Sequence, residues 1–405
     1  MAQDFVGSNN VNLLVPSGQF GTRLAGGQDA ASPRYIFTQL SPTARALFPE
    51  LDDPLLSYRE DDGLLIEPEF YCPVIPLLLV NGSQGIGTGW STFIPPHNPA
   101  DVVQYVRQKL DGETKLPTIR PFARGFAGTI EKDSSGNYLS RGRIRKENER
   151  TLVIDELPLR CWTNAYKTTL LKMRDRGDIV GFVEDHTISS VRFTVEVKAP
   201  QMKRLERSGL EKAFKLKTSL PTTNMHAFDA NNELQKFDSP EGIADAFFPV
   251  RLSLYHDRKQ VLESEMGYAA RTMQNKARFI EAVKDGKIDI ISGRKSKIDM
   301  AYELANLGFE TKSDLNAIRN DNKEYAQRVV EANMSDEDLS SSKDPDYDYL
   351  LTMPLSSLTS EKINELLHEA SRKEKELKEI KRTQAEDLWR KDLDNLESVL
   401  SSLER

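Results

Sequence analysis

The feature that most constrains this chain is a change of hydrophobic period in its last 160 or so residues. From Ile243 onward, apolar residues fall at Phe247, Val250, Leu254, Val261, Met266, Ala269, Met273, Ala277 and Ile280, close to a three-to-four spacing, with charged residues filling the gaps. A second stretch runs Ile363, Leu366, Ala370, Leu377, Ile380 and then Leu388, Leu393, Leu396 and Leu400. A narrow apolar seam on a long charged helix cannot bury itself and needs a partner. The pattern predicts an intramolecular, antiparallel coiled coil, or alternatively two ordinary amphipathic helices in a bundle. Between the two stretches, residues 334–348 (MSDEDLSSSKDPDYD) are acidic and serine-rich, which predicts a disordered insert.

Composition agrees with a modular chain. Apolar residues make up 38% and charged residues 29%, against the ~45–50% apolar usual for globular chains on a count that also includes glycine. A length of 405 residues predicts about two to four domains. The net charge of −7 hides an asymmetry: residues 101–220 hold 24 Lys/Arg against 16 Asp/Glu (+8), residues 1–100 hold 4 against 10 (−6), and residues 221–405 hold 27 against 36 (−9). A basic middle between acidic flanks suits a region that meets a polyanion, although uneven surface charge alone gives the same count.

The chain divides into three regions. Residues 1–100 are rich in Gly and Pro; Gly18, Gly21, Gly26 and Gly27 surround a segment too interrupted for helix, read as a β-ribbon or wing. Ser41-Pro42 opens a short helix that Pro49 closes, and Tyr71 to Val80 reads as a buried strand or extended segment stopped by Asn81-Gly82. Residues 101–235 are a mixed α/β unit: an amphipathic helix over 100–110, then strand-like alternation at 141–146, 151–154 and 190–197, with a turn at 133–137. Residues 236–405 carry the two helical stretches.

Several motifs fail on inspection. Asn81 to Trp90 (NGSQGIGTGW) lacks both the G-x-G-x-x-G spacing and a following Lys-Ser/Thr, so a dinucleotide or ATP site is improbable there; the glycines instead let backbone approach a partner closely. Asp344, Asp346 and Asp348 lie in the acidic insert without a rigid frame, and five histidines form no cluster, so no metal site is expected in this chain. Cys72 and Cys161 are too far apart for a disulfide framework or zinc finger. No stretch reaches the ~18 apolar residues of a membrane span, and no charged-then-apolar leader opens the chain.

The segment GQFGTRLAGGQDAASPRYIFT, residues 18–38, carries the chemistry. Pro33 stiffens the approach to Arg34-Tyr35. A tyrosine hydroxyl has a pKa of ~10 and is a weak nucleophile at neutral pH. An adjacent guanidinium favours the phenolate and offers two donors to a phosphate oxygen. The pair therefore suits attack on a phosphodiester, while on the residues alone packing plus solvent remains the commoner explanation.

These runs resemble a known family. Phe5-Val6-Gly7-Ser8-Asn9-Asn10, Gly18-Gln19-Phe20-Gly21-Thr22-Arg23 and Ala31-Ser32-Pro33-Arg34-Tyr35-Ile36-Phe37 are similar to the DNA-cleavage core of eukaryotic type II DNA topoisomerases. So are Glu67-Pro68-Glu69-Phe70-Tyr71, the NGSQGIGTGW segment and Ile94-Pro95-Pro96-His97-Asn98-Pro99. Gly128-Thr129-Ile130-Glu131, Glu156-Leu157-Pro158, Phe214 to Leu220 and Ala385-Glu386-Asp387-Leu388-Trp389 continue the likeness in the same order. The resemblance implies an α+β multidomain chain: a partial winged helix with a β wing over 1–100, a mixed α/β tower over 101–235, and a long antiparallel coiled coil with a helical C-gate over 236–405.

For function, the resemblance implies an ATP-dependent isomerase that cleaves both strands of one duplex, passes a second duplex through, and religates. Tyr35 is implied as the nucleophile that forms a 5′-phosphotyrosyl bond, Arg34 as the cation that stabilises the charged transition state, and Ile86 as a wedge between base pairs. Lys215, Leu216, Lys217, Thr218, Ser219, Leu220 and Asn224 match a DNA-contacting segment, with Arg23 a further contact on a weaker basis. Mg²⁺ and ATP would be bound outside this chain, by metal-binding and ATPase domains that lie upstream in the family. The implied partners are double-stranded DNA and a second copy joined through the C-gate, in the nucleus, with no membrane. The chain is expected to be a fragment, an incomplete gene model or one piece of a split enzyme that does not relax DNA by itself. The alternative is a non-catalytic DNA-binding and dimerising module.

Overall fold

The structure is a computed structural model and describes residues 1–133, 136–289, 296–320, 346–354 and 359–403. The chain is a mixture of helices and small antiparallel sheets that gather into two compact units. The first comprises Met1–Pro49, Cys72–Arg251 and Arg390–Arg405; the second comprises Glu50–Tyr71 and Leu252–Trp389. Residues 50–71 thus group with the long helices rather than with their neighbours in sequence.

In the first unit, helix α1 (Pro42–Leu47) follows Pro42, a proline at the first helical position where its missing N–H costs nothing. The segment expected to be extended from Tyr71 to Val80 instead ends in a short helix, α2 (Leu77–Asn81). Pro73 and Pro76 remove two ladder donors, and Pro76 caps the turn, accepting from the Leu79 amide at 2.9 Å. Gly18 to Gly27 form turns rather than a paired ribbon. Pairing there is confined to two isolated bridges, Leu14 with Leu40 and Ser17 with Phe37.

Strands β3 (Ser83–Ile86) and β4 (Ser91–Ile94) form a hairpin, and helix α3 (Pro99–Leu110) is capped by the Asn98 side chain. The basic region builds two sheets. Strand β5 (Thr129–Lys132) pairs with β6 (Tyr138–Arg141), which pairs with β11 (Lys217–Leu220). Strand β7 (Arg143–Lys146) pairs with β8 (Thr151–Glu156), followed in space by β10 (Phe193–Glu196) and β9 (Gly181–Glu184). The stretch 141–146 therefore breaks into two strands at Gly142, where a Cβ would strike the Glu156 carbonyl. Asp133 accepts an amide from Gly136 and donates its own to the Asn137 carbonyl at 2.7 Å; residues 134 and 135 of this expected turn lie outside the described residues.

Helix α4 (Thr163–Asp175) lays Tyr166, Leu170 and Met173 on the four-stranded sheet, and α5 (Ala199–Ser208) adds Met202 and Leu205. With Leu152, Ile154, Phe193, Val195, Phe214 and Leu216 these side chains form a closed core. Each fully buried one contributes on the order of 1.5–3 kcal/mol. After α6 (Leu210–Ala213), β12 (Met225–Phe228) and β13 (Leu234–Phe237) form a hairpin that leads into α7 (Pro240–Lys284).

In the second unit, α7 lies antiparallel to a helix over Ser360–Arg382. Ala277 and Ile280 pack on Ile363 and Leu366, Lys284 donates to Ser360 at 2.6 Å, and Gln274 donates to Glu374. The second apolar stretch is not one helix: it stops at Thr383, whose backbone is extended, and restarts as Ala385–Leu403. Gln384 donates its amide to Asp387, the reach-back contact of a new helix start. Phe279, Leu304, Phe309, Tyr347 and Leu350 form a further cluster. Of the expected insert at 334–348, residues 334–345 lie outside the described residues. Tyr347 is buried and its hydroxyl donates to the Phe309 carbonyl at 2.9 Å. Arg258 and Asp52 form a buried ion pair at 2.6 Å that fastens residues 50–71 to α7.

Candidate functional site

Arg34 and Tyr35 stand on a single 3₁₀ turn, Pro33–Tyr35, closed by the Tyr35 amide on the Ser32 carbonyl at 2.9 Å. Pro33 presets the turn, and Ile36 leaves it in extended backbone so that Phe37 can exchange amide bonds with Ser17 at 2.9 and 3.1 Å. Tyr35 is 66% exposed, and the Arg34 guanidinium carbon sits 5.0 Å from the centre of its ring. A cation and a phenol are thus held together at the surface.

What holds the turn lies beneath it. Ala31 donates to the Gln19 carbonyl at 2.9 Å, closing residues 19–31 into a loop. Inside that loop Asp29 accepts from the Thr22 amide at 2.8 Å and hydroxyl at 2.6 Å. The Thr22 hydroxyl bond is the main reason that its carboxyl titrates below the usual range. Gly26, at φ +65°, lies flat against the Trp162 indole, where any Cβ would fall into the ring. Leu24 accepts the Asn164 amide at 3.0 Å.

Arg23 points down rather than out. It is 5% exposed and its guanidinium pairs with Glu156, itself 2% exposed. The Glu156 carboxylate is fully engaged, accepting also from the Leu157 amide at 2.8 Å and the Ala127 amide at 2.9 Å. The expectation of a phosphate contact at Arg23 is therefore corrected: the guanidinium is committed to a buried carboxylate and anchors the loop.

Ile86 ends β3 at the tip of the hairpin, 87% exposed, with Gly87 donating to the Trp90 carbonyl at 2.8 Å across the turn. A large apolar side chain so exposed contributes nothing to a core. The hairpin is braced by β12: Phe93 donates to the Asn224 carbonyl at 2.9 Å, Thr92 exchanges bonds with His226 at 2.7 and 3.0 Å, and the Asn224 amide reaches Ser91 at 2.9 Å. The Trp90 ring meets His226 edge-on at 5.4 Å. The structure therefore brings Asn224 onto the hairpin that carries Ile86.

The segment leading to Asn224 splits by strand alternation. Lys215 (φ +54°), Lys217 and Ser219 are exposed and Thr218 is half-buried, whereas Leu216 and Leu220 are in the core. As contact residues the two leucines are corrected too, since their side chains face inward. Lys217 pairs with Glu211 at 2.9 Å, and together with Arg141 it holds the Glu211 carboxyl below the usual range. Glu156, Trp162 and Thr92 carry no signal of their roles in the sequence. The contact of Arg23 with Glu156 spans 133 positions, and no periodicity links residues so far apart.

Among the described residues, no three His, Cys, Asp or Glu side chains gather to hold a metal ion, and no helix is long and apolar enough to cross a membrane.

Comparison with known proteins places these features in a family. The family model for the A-type chain of DNA gyrase/topoisomerase IV matches residues 1–394. DNA topoisomerase 2 of Arabidopsis thaliana is 42% identical over 421 residues, covering all of this chain and 28% of that protein. DNA topoisomerase 2-beta of Gallus gallus is 42% identical over 402 residues, covering 97% and 24%. The chain thus spans about a quarter of the length of these relatives. The crystal structure of the Plasmodium falciparum topoisomerase II DNA-binding, cleavage and re-ligation domain superposes with a TM-score of 0.87 at 37% identity, covering all of this chain and 54% of that one.

Proposed function

This chain belongs to the DNA gyrase/topoisomerase IV A-type family, and from that premise we propose that it is the strand-cleaving part of an ATP-dependent type II DNA topoisomerase. The observation that carries the reading is Tyr35 exposed on a turn pinned from below, with the Arg34 cation against its ring. The Tyr35 oxygen attacks a DNA phosphorus. A bond from phosphorus to the phenol oxygen forms, the bond to the 3′ oxygen breaks, the phenol gives up its proton, and the 3′ oxygen gains one to leave as a hydroxyl. The phosphodiester energy is kept in the new ester, so the reverse attack reseals the strand without a nucleotide. Arg34 offsets the charge that gathers on the phosphate oxygens.

Ile86 is the side chain that enters the base stack. Unstacking costs a few kcal/mol per step, which the longer contact with bent DNA offsets. Lys215, Lys217, Thr218, Ser219 and Asn224 serve the phosphate backbone beside it; Arg23, Leu216 and Leu220 are left out of the interface because they are buried. Mg²⁺ and ATP belong to the parts of the whole protein that this chain does not span. No described residues of this chain fit a metal, and no step above uses one. The working form is a homodimer joined through the helical C-terminal region, acting in the nucleus, cleaving one duplex and passing a second through the break.

Covalent capture tests the reading. The chain is mixed with a nicked duplex labelled at its 3′ end and Mg²⁺, with and without a separately made metal-binding segment. Label is expected on the protein when that segment is present and is expected to vanish in Tyr35→Phe. Equal capture by Tyr35→Phe would assign the nucleophile elsewhere. No adduct in either arm, with DNA still bound and bent, would favour a non-catalytic DNA-binding and dimerising module.

A further inference from the structure

The Ser360–Arg382 helix treats its cations in two ways. Toward its start and middle they are neutralised by carboxylates one turn away: Lys362 by Glu365 at 2.9 Å, Lys373 by Glu376 at 2.7 Å, and Arg372 by the same Glu376 at 3.7 Å. In the last two turns the neutralisation stops. Lys375, Lys378 and Arg382 are exposed and have no ion-pair partner among the described residues. They line an open depression of about 470 Å³, completed by Glu379, Thr383 and Asp387. Attraction to the carbonyl end of a helix explains basic residues in its last turn, Lys381 and Arg382. It does not reach Lys375 or Lys378, since the effect falls off within one turn.

Spacing gives the three cations a direction. Positions 375, 378 and 382 recur on one face, and seven residues of helix span roughly 10 Å. One DNA strand rises about 3.4 Å per phosphate, so this row covers about three phosphates. The setting sharpens the contrast: residues 221–405 as a whole carry 27 Lys/Arg against 36 Asp/Glu, so an unneutralised basic face stands out in an otherwise acidic part of the chain.

We propose that the face formed by Lys375, Lys378 and Arg382 is a second contact for the phosphate backbone of duplex DNA, distinct in the chain from the Lys215–Asn224 segment. It rests on the reading of the chain as a DNA-handling protein and adds to it a site on the helical arm. Glu379 and Asp387 at the rim keep the contact weak, as suits a duplex that is held and then let go.

Lysine footprinting of the whole chain tests this. The rates at which an amine-reactive reagent acylates Lys375, Lys378, Lys215 and Lys217 are read by mass spectrometry, with and without a short duplex. Several-fold slowing at Lys375 and Lys378 on adding duplex is the expected result. Slowing at Lys215 and Lys217 alone would overturn the arm site and leave the proposed function standing; no slowing at any of the four would overturn both. Slowing at Lys375 and Lys378 that follows protein concentration without DNA would assign the face to a second copy of the chain. As an independent readout, replacing all three residues by Gln is expected to lower the slope of log K against log salt by about 2–3. An unchanged slope would also overturn the site.

Discussion

The Pro33–Tyr35 turn and the β3–β4 hairpin each hold one side chain out in solvent, and they are fastened by opposite kinds of contact. Below Tyr35 the base is ionic and steric: a buried Arg23–Glu156 pair, and a glycine pressed against Trp162. Below Ile86 it is neutral: a short ladder, amide and hydroxyl bonds to β12, and the ring of Trp90 on His226. A buried ion pair fixes position sharply, but each partner becomes a liability once the other is gone. A ladder of neutral bonds loses about 1 kcal/mol per bond and yields by degrees. The difference suits the proposed roles, since a nucleophile needs one fixed position whereas a wedge must follow DNA as it bends.

Removing the ion pair from one side tests this contrast most severely. In Glu156→Ala the Arg23 guanidinium stays buried without a counter-charge, and the Ala127 and Leu157 amides lose their acceptor. A loss of about 3–5 kcal/mol is expected, measured by urea unfolding with Trp162 fluorescence as the local probe. A loss under about 1 kcal/mol would mean that water reaches Arg23, and the two bases would then not differ in kind.

How much of this is readable in advance depends on the range of the interaction. The helical arm is legible because its signal is local: residues 273–280 and 363–366 carry the seam in their own spacing. The break at Thr383 is masked by the continuing apolar period, although Thr383-Gln384-Ala385-Glu386 carries the Ser/Thr-x-x-Glu pattern of a helix start. The helix at Leu77–Asn81 reads as extended because an apolar run of that length does not by itself distinguish strand from helix. At the candidate site, Arg34, Tyr35 and Ile86 stand out through resemblance, and the structure adds that they are exposed. Arg23 misleads because a basic residue in a glycine loop looks like a phosphate ligand until its partner 133 positions away is seen.

Acid offers a second way to separate the two bases. His97 follows β4 and is fully buried, with its amide and Nδ1 both directed at the Leu79 carbonyl. Burial, partly offset by that carbonyl, lowers its pKa from 6.5 to about 4. In the unfolded chain the ring takes up a proton near pH 6.5, whereas in the folded chain it resists until about pH 4. The unfolded state therefore binds more protons between these values, and stability falls as pH drops through that window. At about 1.4 kcal/mol per pH unit the full loss is about 3 kcal/mol. The stability is intact above pH 6.5 and gone below about pH 4. Urea midpoints taken from about pH 7 to about pH 4.5 are expected to fall, with Trp90 fluorescence beside the hairpin changing before Trp162. Simultaneous change at both tryptophans would mean that the bases unfold as one.

The smallest effect on stability is expected where the proposed effect on DNA is largest. Ile86 is 87% exposed and its strand partner is Ser91, so Ile86→Ala removes almost no buried surface. Stability should stay within about 0.5 kcal/mol of the parent chain. If the side chain enters a base step, the same substitution should straighten bound DNA, read as a longer end-to-end distance by energy transfer across a doubly labelled nicked duplex. Straightening without destabilisation would separate the wedge from its base and keep the contrast with Tyr35, whose base is costly to disturb. Destabilisation beyond about 1 kcal/mol with unchanged bending would make Ile86 a packing residue after all.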